Sequence, residues 1–333
     1  MRRWIRGQDP NVQVRTVYWL LIRFAMLCAL WAPLSGQVPT GTSIFPVAII
    51  AINETRLVVY DSANRVSEID INSNSHSSKL LFTVHSDEIP VSMALGLFRK
   101  QAYLFVLTKS ANSKNGTIQI FTYPQGQPTG GKLPLDDVAT GLDYDEAAGA
   151  LYYVTSSNGR LFRFVQCTGK IESMGSIPGL GRAGPVAVLP GPTVDLCRGI
   201  QSSRSRLYVG DVLQGGLFEY DLGSKNIDKI SKYIGSVSSA LVRRGNRGNP
   251  MLYAADASRH VIIPFSIQTD GTLVERPAVG EGALTTPSSI AVMSSFNIVS
   301  DIDRHSIVVF SANWQRLYQI DPKKSFASND SPW

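Results

Sequence analysis

The chain has 333 residues, 44% of them hydrophobic and only 17% charged, with 28 glycines and 18 prolines. That is a globular composition with apolar material for a large core, weighted towards strands and turns and away from helical bundles. The net charge of +6 excludes little until it is located: residues 1–36 hold five arginines against one aspartate, so the remainder is about +2 and has no lysine–arginine run that would track phosphates, which argues against a nucleic-acid partner.

The leader comes first in the chain. Arg2, Arg3, Arg6 and Arg15 precede an apolar run from Val17 to Leu34 that only Arg23 interrupts, and Ser35-Gly36-Gln37 follow. A positive front, an apolar centre and a small or polar exit predict a hydrophobic helix that acts as a signal peptide or as an uncleaved membrane anchor, residues 1–36 in either case. Arg23 disfavours the anchor, costing about 2–3 kcal/mol at a bilayer centre. Leu34 and Gly36 make a mediocre cleavage site, so both readings stand. Either one predicts a secreted or periplasmic protein, touching a membrane only through this segment.

After the leader the chain repeats itself. Short apolar strands begin at Leu57, Leu104, Leu151, Leu207, Leu252 and Ile307, and each is followed by a turn rich in Ser, Asn and Gly and then by a second strand. "LYYVTSSNGRLFRF", Leu151 to Phe164, shows the unit most clearly, with Asn158-Gly159 suited to the positive φ of a tight hairpin. Upstream of each copy lies a segment of smaller residues, such as "PVAIIAIN" from Pro46 or "PSSIAVM" from Pro287, read as an innermost strand on a crowded axis. Weaker fourth strands follow, such as Lys79 to Val84 and Lys170 to Ile177. A period of roughly 45–55 residues built of four short strands predicts an all-β, six-bladed propeller over residues 37–321. Two longer intervals keep a seven-bladed alternative open, although 182–205 and 294–305 read as loops. No outer strand is evident after Ile320, so Val38 to Ser43 is expected to lend one and close the ring, which removes exposed sheet edges. Residues 322–333 read as a flexible tail.

"LYAADASRHVIIPFS" and "LVVYDSANRVSEID" resemble NHL repeats, and "GLDYDEAAGALYYVTSSNGRLFRF" is similar to both the NHL and the YWTD types. The wider group is the six-bladed, TolB-like propeller class, which includes gluconolactonase-like enzymes as well as binding modules. The resemblance implies the fold over roughly Ser43 to Ile320 and leaves function open.

Candidate chemistry is sparse. Asp61, Thr108, Thr155, Asp211, Asp256 and Ser311 all fall at one position of the repeat, which predicts side chains that cap the following turn. Gluconolactonase-like relatives hold an axial divalent metal, and the candidates here for a cation such as calcium are Asn53, Asp143 and Asp145, although the inner strands offer no Glu and so depart from that pattern. Arg182, Arg204 and Arg206, together with Arg243, form a candidate basic rim for an anionic ligand. Cys167 and Cys197 pair in an oxidising compartment or remain two buried thiols. His260 sits in a repeat turn and His305 precedes the sixth copy; neither has a nucleophile or acid at a recognised spacing. No catalytic motif emerges. The leading expectation is a non-catalytic, exported scaffold for a protein, peptide or glycan. A metal-dependent lactonase or hydrolase comes second, and a PQQ- or sugar-linked oxidoreductase third.

Overall fold

The computed structural model describes residues 44–321, apart from 73–75, 192–195, 200–204, 225–226, 232–233, 244–248 and 270–271. The leader, Val38 to Ser43 and the tail 322–333 lie outside the described residues. Among the described residues twenty-four strands form six antiparallel four-stranded sheets, each made of consecutive strands. Blade one holds β1 (Pro46–Ala51), β2 (Arg56–Asp61), β3 (Arg65–Asp70) and β4 (Ser78–Thr83); blade two holds β5 (Glu88–Phe98), β6 (Gln101–Ser110), β7 (Gly116–Tyr123) and β8 (Pro128–Leu135). Blade three holds β9 (Ala139–Asp145), β10 (Ala150–Thr155), β11 (Arg160–Val165) and β12 (Lys170–Ser176); blade four holds β13 (Ala183–Leu189), β14 (Arg206–Asp211), β15 (Leu217–Asp221) and β16 (Ile227–Ser231). Blade five holds β17 (Val237–Arg243), β18 (Met251–Asp256), β19 (Val261–Ile267) and β20 (Leu273–Glu275); blade six holds β21 (Pro287–Val292), β22 (Phe296–Asp301), β23 (Ser306–Ser311) and β24 (Arg316–Ile320). The first strand of each blade packs against the first strands of its neighbours, blade six against blade one included, so the six blades form a ring. The seven-bladed alternative is thereby removed.

The second strand of each blade is buried on both faces, which is why these strands read as unbroken apolar runs. In β10, Tyr152 and Val154 pack towards blade four while Leu151 and Tyr153 pack towards blade two. The core is accordingly six wedges, one between each pair of blades. Small residues on the inner strands answer to distance: a Cβ on Gly141 would stand 2.6 Å from the backbone nitrogen of Val186 in the next blade. All six inner strands carry a bulge within their first residues, and Pro46, Pro90 and Pro287 sit there, where the ladder needs no N–H.

Two expectations are corrected in blade six. Its fourth strand is its own β24, so the sheet already holds four strands among the described residues, which do not include Val38 to Ser43. Closure comes from the wedge between blades six and one, where Ile298, Ile307 and Val309 meet Ile49, Leu57 and Val59. In addition, the run from Ile307 is the third strand of its blade. The second strand is "FNIVSD" at Phe296–Asp301, inside the stretch read as a loop. The error was one strand of register: an apolar run followed by a polar turn describes the second and third strands equally well.

Candidate functional site

The ring has two unlike faces. One, the cap face, carries the turns between second and third strands and the connectors that enter each inner strand. The opposite, the tip face, carries the first-to-second and third-to-fourth turns.

The cap face is organised by carboxylates. Asp256 is fully buried; Oδ1 accepts from the backbone N–H groups of Ser258 and Arg259 and from Ser258 Oγ, while Oδ2 accepts from Gly235 N at 2.8 Å. It therefore caps its own turn and ties down the connector into β17. Asp211 does the same with Leu213, Gln214, Gly181 and Arg182, and Asp301 with Arg304, Thr285 and Thr286. Asp61 caps Ala63 and Arg65 and pairs with the Arg65 guanidinium; burial raises its carboxyl above the usual range, against the pull of these bonds. Asp301, missed in the sequence, occupies the repeat position, and Ser311 does not: it ends β23 and accepts from Gln315 N at a tip-face turn. A regular 45-residue interval through Asp211, Asp256 and Asp301 was the signal that could have located it.

Blades two and three invert this arrangement. Thr108 donates to Glu88 Oε2 at 2.7 Å, and Gln119 donates to the same oxygen. Thr155 donates to Asn158 Oδ1, and Asp137 accepts from Ser157 N. Here the carboxylate sits on or before the inner strand and the hydroxyl on the second. His260 and His305 close cap-face turns with left-handed φ of 61° and 50°, the position that Asn64 and Gly159 fill in blades one and three. Their role is to complete a turn.

On the axis the inner strands enclose a channel of about 300 Å³, lined by aliphatic side chains with Ser92, Thr140, Asp143, Ser238, Ser239, Arg243, Ser288 and Ser289. Inner strands are sheet edges, so their outward backbone groups need partners from neighbouring blades. Ser289 accepts from Ile49 N, Ser238 donates to Pro287 O, Thr140 donates to Gly184 O, and Asp143 Oδ2 accepts from Val188 N at 2.7 Å. Burial among these strands pushes the Asp143 carboxyl up to about 7, the backbone N–H groups of Val188 and Tyr144 hold it down, and Asp145 and Glu146 push it up further.

The proposed metal ligands are not brought together. Asn53 lies in the first turn of blade one, its Oδ1 accepting from Thr55 N and Arg56 N. Asp143 is committed to backbone N–H groups, and Asp145 accepts from Ala148 N and Ser205 Oγ. Among the described residues no three His, Cys, Asp or Glu side chains gather around a common point. This donor set does not fit an axial cation. The basic rim is likewise dispersed. Arg182 stands at the cap-face entry to β13, whereas Arg206 and Arg243 are at the tip face, on Glu219 at 2.6 Å and near Ser294 Oγ at 3.2 Å with Glu54 beyond. Arg204 lies outside the described residues.

The tip face is where repetition fails. Blade two projects a long hairpin through Phe98 and Gln101. The link between β13 and β14 carries a 3-10 turn at Leu196–Arg198, and Cys197 within it is bonded to Cys167 in blade three, their Cα atoms 5.8 Å apart. The same fold recurs elsewhere. A protein in the crystal structure of a nidogen/laminin complex superposes with a TM-score of 0.62 at 12% identity, over 81% of this chain and 95% of that one. A Bacteroides thetaiotaomicron protein of unknown function gives 0.56 at 13% identity, over 83% and 71%. An auxiliary nutrient binding protein from the same organism gives 0.53 at 13%, over 83% and 68%. The likeness is one of fold. No family model and no curated protein matches the chain.

Proposed function

We propose that the protein is an exported binding scaffold of the NHL or YWTD propeller type that meets a protein, peptide or glycan through its tip face. The observation that carries this reading is the contrast between faces: cap-face turns are consumed by repeated carboxylate caps, while the tip face bears the non-repeating hairpin and the disulfide-held link. Conserving a frame on one side and varying loops on the other is how rigid scaffolds carry binding sites. The relatives in fold include a protein solved in a nidogen/laminin complex and a nutrient binding protein, which fits a binding role. Glycan and peptide arrays probed with the purified full chain test it. A ligand retained by the parent and lost from a Cys167→Ser/Cys197→Ser variant that still folds supports the reading. Turnover of a lactone, or a tightly held stoichiometric divalent ion, overturns it.

A further inference from the structure

Large exposed aliphatic side chains are few, and they are not scattered. Leu80 (52% exposed), Leu97 (48%), Ile171 (42%), Val274 (40%) and Leu317 (49%) lie at or towards the tip-face ends of their strands, while among the described residues only Leu213 (65%) is on the cap face. Three of them occupy neighbouring blades one, two and three, and each has exposed cations beside it: Lys79 next to Leu80, Arg99 and Lys100 beyond Leu97, Lys170 next to Ile171. The centre of this sector is the blade-two hairpin. From Thr108 back to Gln101, β6 runs two residues further than β2 does from Asp61 back to Arg56. At about 3.3 Å per residue the paired strands of blade two run roughly 7 Å further before they turn.

The turn itself is unusual. Arg99 and Lys100 are its two central residues, with φ of 49° and 70°. Paired left-handed residues are the requirement of a type I′ turn, which Asn-Gly meets without strain and two long side chains do not. The Arg99 guanidinium lies 5.1 Å over the Phe98 ring, which keeps that ring covered and the charge at the tip. A strained turn that presents two cations beside an exposed leucine points to recognition.

We propose that the tip-face sector of blades one to three docks on an anionic lipid surface, with Leu97 entering the headgroup boundary and Lys79, Arg99, Lys100 and Lys170 facing lipid phosphates and carboxylates. The choice of lipid over protein rests on shape and composition. The tip is convex, the aliphatic residues are separate points instead of one groove, and three of the four cations are lysines. Lysine is depleted and Leu under-represented where proteins bind proteins tightly, whereas aliphatic side chains backed by Lys and Arg match the depth profile of a membrane interface. The carboxylates nearby are Glu68, opposite Lys79 on β3 and held by Arg56 and the Tyr123 hydroxyl, Asp70, turned onto Asn72 N, Glu172, paired with Arg163, and the exposed Glu146.

The test is partitioning of the full chain onto phosphatidylcholine vesicles and onto an equimolar phosphatidylserine–phosphatidylcholine mixture. The leader is identical in every variant, so differences between variants report on the propeller. Arg99→Gln/Lys100→Gln is expected to lower affinity for the anionic vesicles about thirty-fold, the loss of two near-surface cations, and to leave phosphatidylcholine binding unchanged. Leu97→Asp is expected to weaken binding to the anionic vesicles as well, while Leu213→Asp and Arg259→Gln on the cap face leave it unaltered. Unchanged thermal melting and circular dichroism confirm that the variants fold. Anionic-vesicle binding that is the same in the double variant and the parent overturns the proposal. So does a tip variant that loses binding only to immobilised polyglutamate, which assigns the tip to an acidic protein. Array binding in the absence of lipid is independent of either result.

Discussion

Blades five and six and blades two and three solve the same local problem with the carboxylate on opposite sides. In the first pair a fully buried Asp at the end of the second strand reaches both its own turn and the incoming connector, so one side chain satisfies three donors at Asp301 and five at Asp256. In the second pair the strand offers a Thr and the acid comes from Glu88 or Asp137. Blades two and three are also where the hairpin overshoots and where Cys167 anchors the link after β13. Regular capping and irregular surface thus occupy different sectors of one ring, and capping strength is expected to follow the same division.

Asp256→Ala tests this most severely. It strands several buried N–H groups at once and is expected to cost on the order of 3–5 kcal/mol in denaturant unfolding. Thr155→Ala removes a hydroxyl whose partners remain largely satisfied and is expected to cost about 1 kcal/mol. Equal losses in the two variants would dissolve the distinction between sectors.

Removing the disulfide with Cys167→Ser/Cys197→Ser opens a loop of 30 residues. The expected loss is about 3 kcal/mol, read as a lower melting temperature that reductant reproduces in the parent and not in the variant. The pH dependence comes next. Asp143 has a folded-state pKa of about 7, above that of the unfolded chain. Its contribution is therefore complete below about pH 4, where both states are protonated. It is lost as pH rises towards 7, because the unfolded chain ionises first. Stability is expected to fall across that window, Asp61 acts in the same direction, and Asp143→Asn is expected to flatten the profile. The smallest effect is expected at the tip: Arg99→Asn/Lys100→Gly relieves two left-handed side-chain residues and should stabilise the protein by about 1 kcal/mol, confirming that this turn is not chosen for stability.

Most of the frame was legible along the chain. Six inner segments and five of the six hairpins declared themselves because a blade must bury its central strands on both faces, which writes apolar runs and turn residues at a fixed period. The caps Asp61, Asp211 and Asp256 were legible for the same reason, since a buried turn needs an oxygen at one place in each repeat, whereas Asp301 was missed and Ser311 took its place. Blade six was misregistered because its second and third strands, Phe296–Asp301 and Ser306–Ser311, have the same local pattern, and only pairing to β21 decides which is inner. Arg182 and Arg206 looked like neighbours in sequence; β13 runs between their positions and puts them on opposite faces. Asp143 drew notice as a strand-end acid, and its actual place is in the edge of an inner strand.

By itself, then, the amino-acid sequence determined an all-β ring of six units and the residue types that cap them, because periodic burial and turn chemistry are local demands that each repeat must meet alone. Only the tertiary structure decided which blade completes which, that Cys167 meets Cys197, that a buried carboxylate borders the channel, and that aliphatic and cationic side chains from three blades share one face. Those are relations between repeats, set by the ring's closure, and no single repeat carries them.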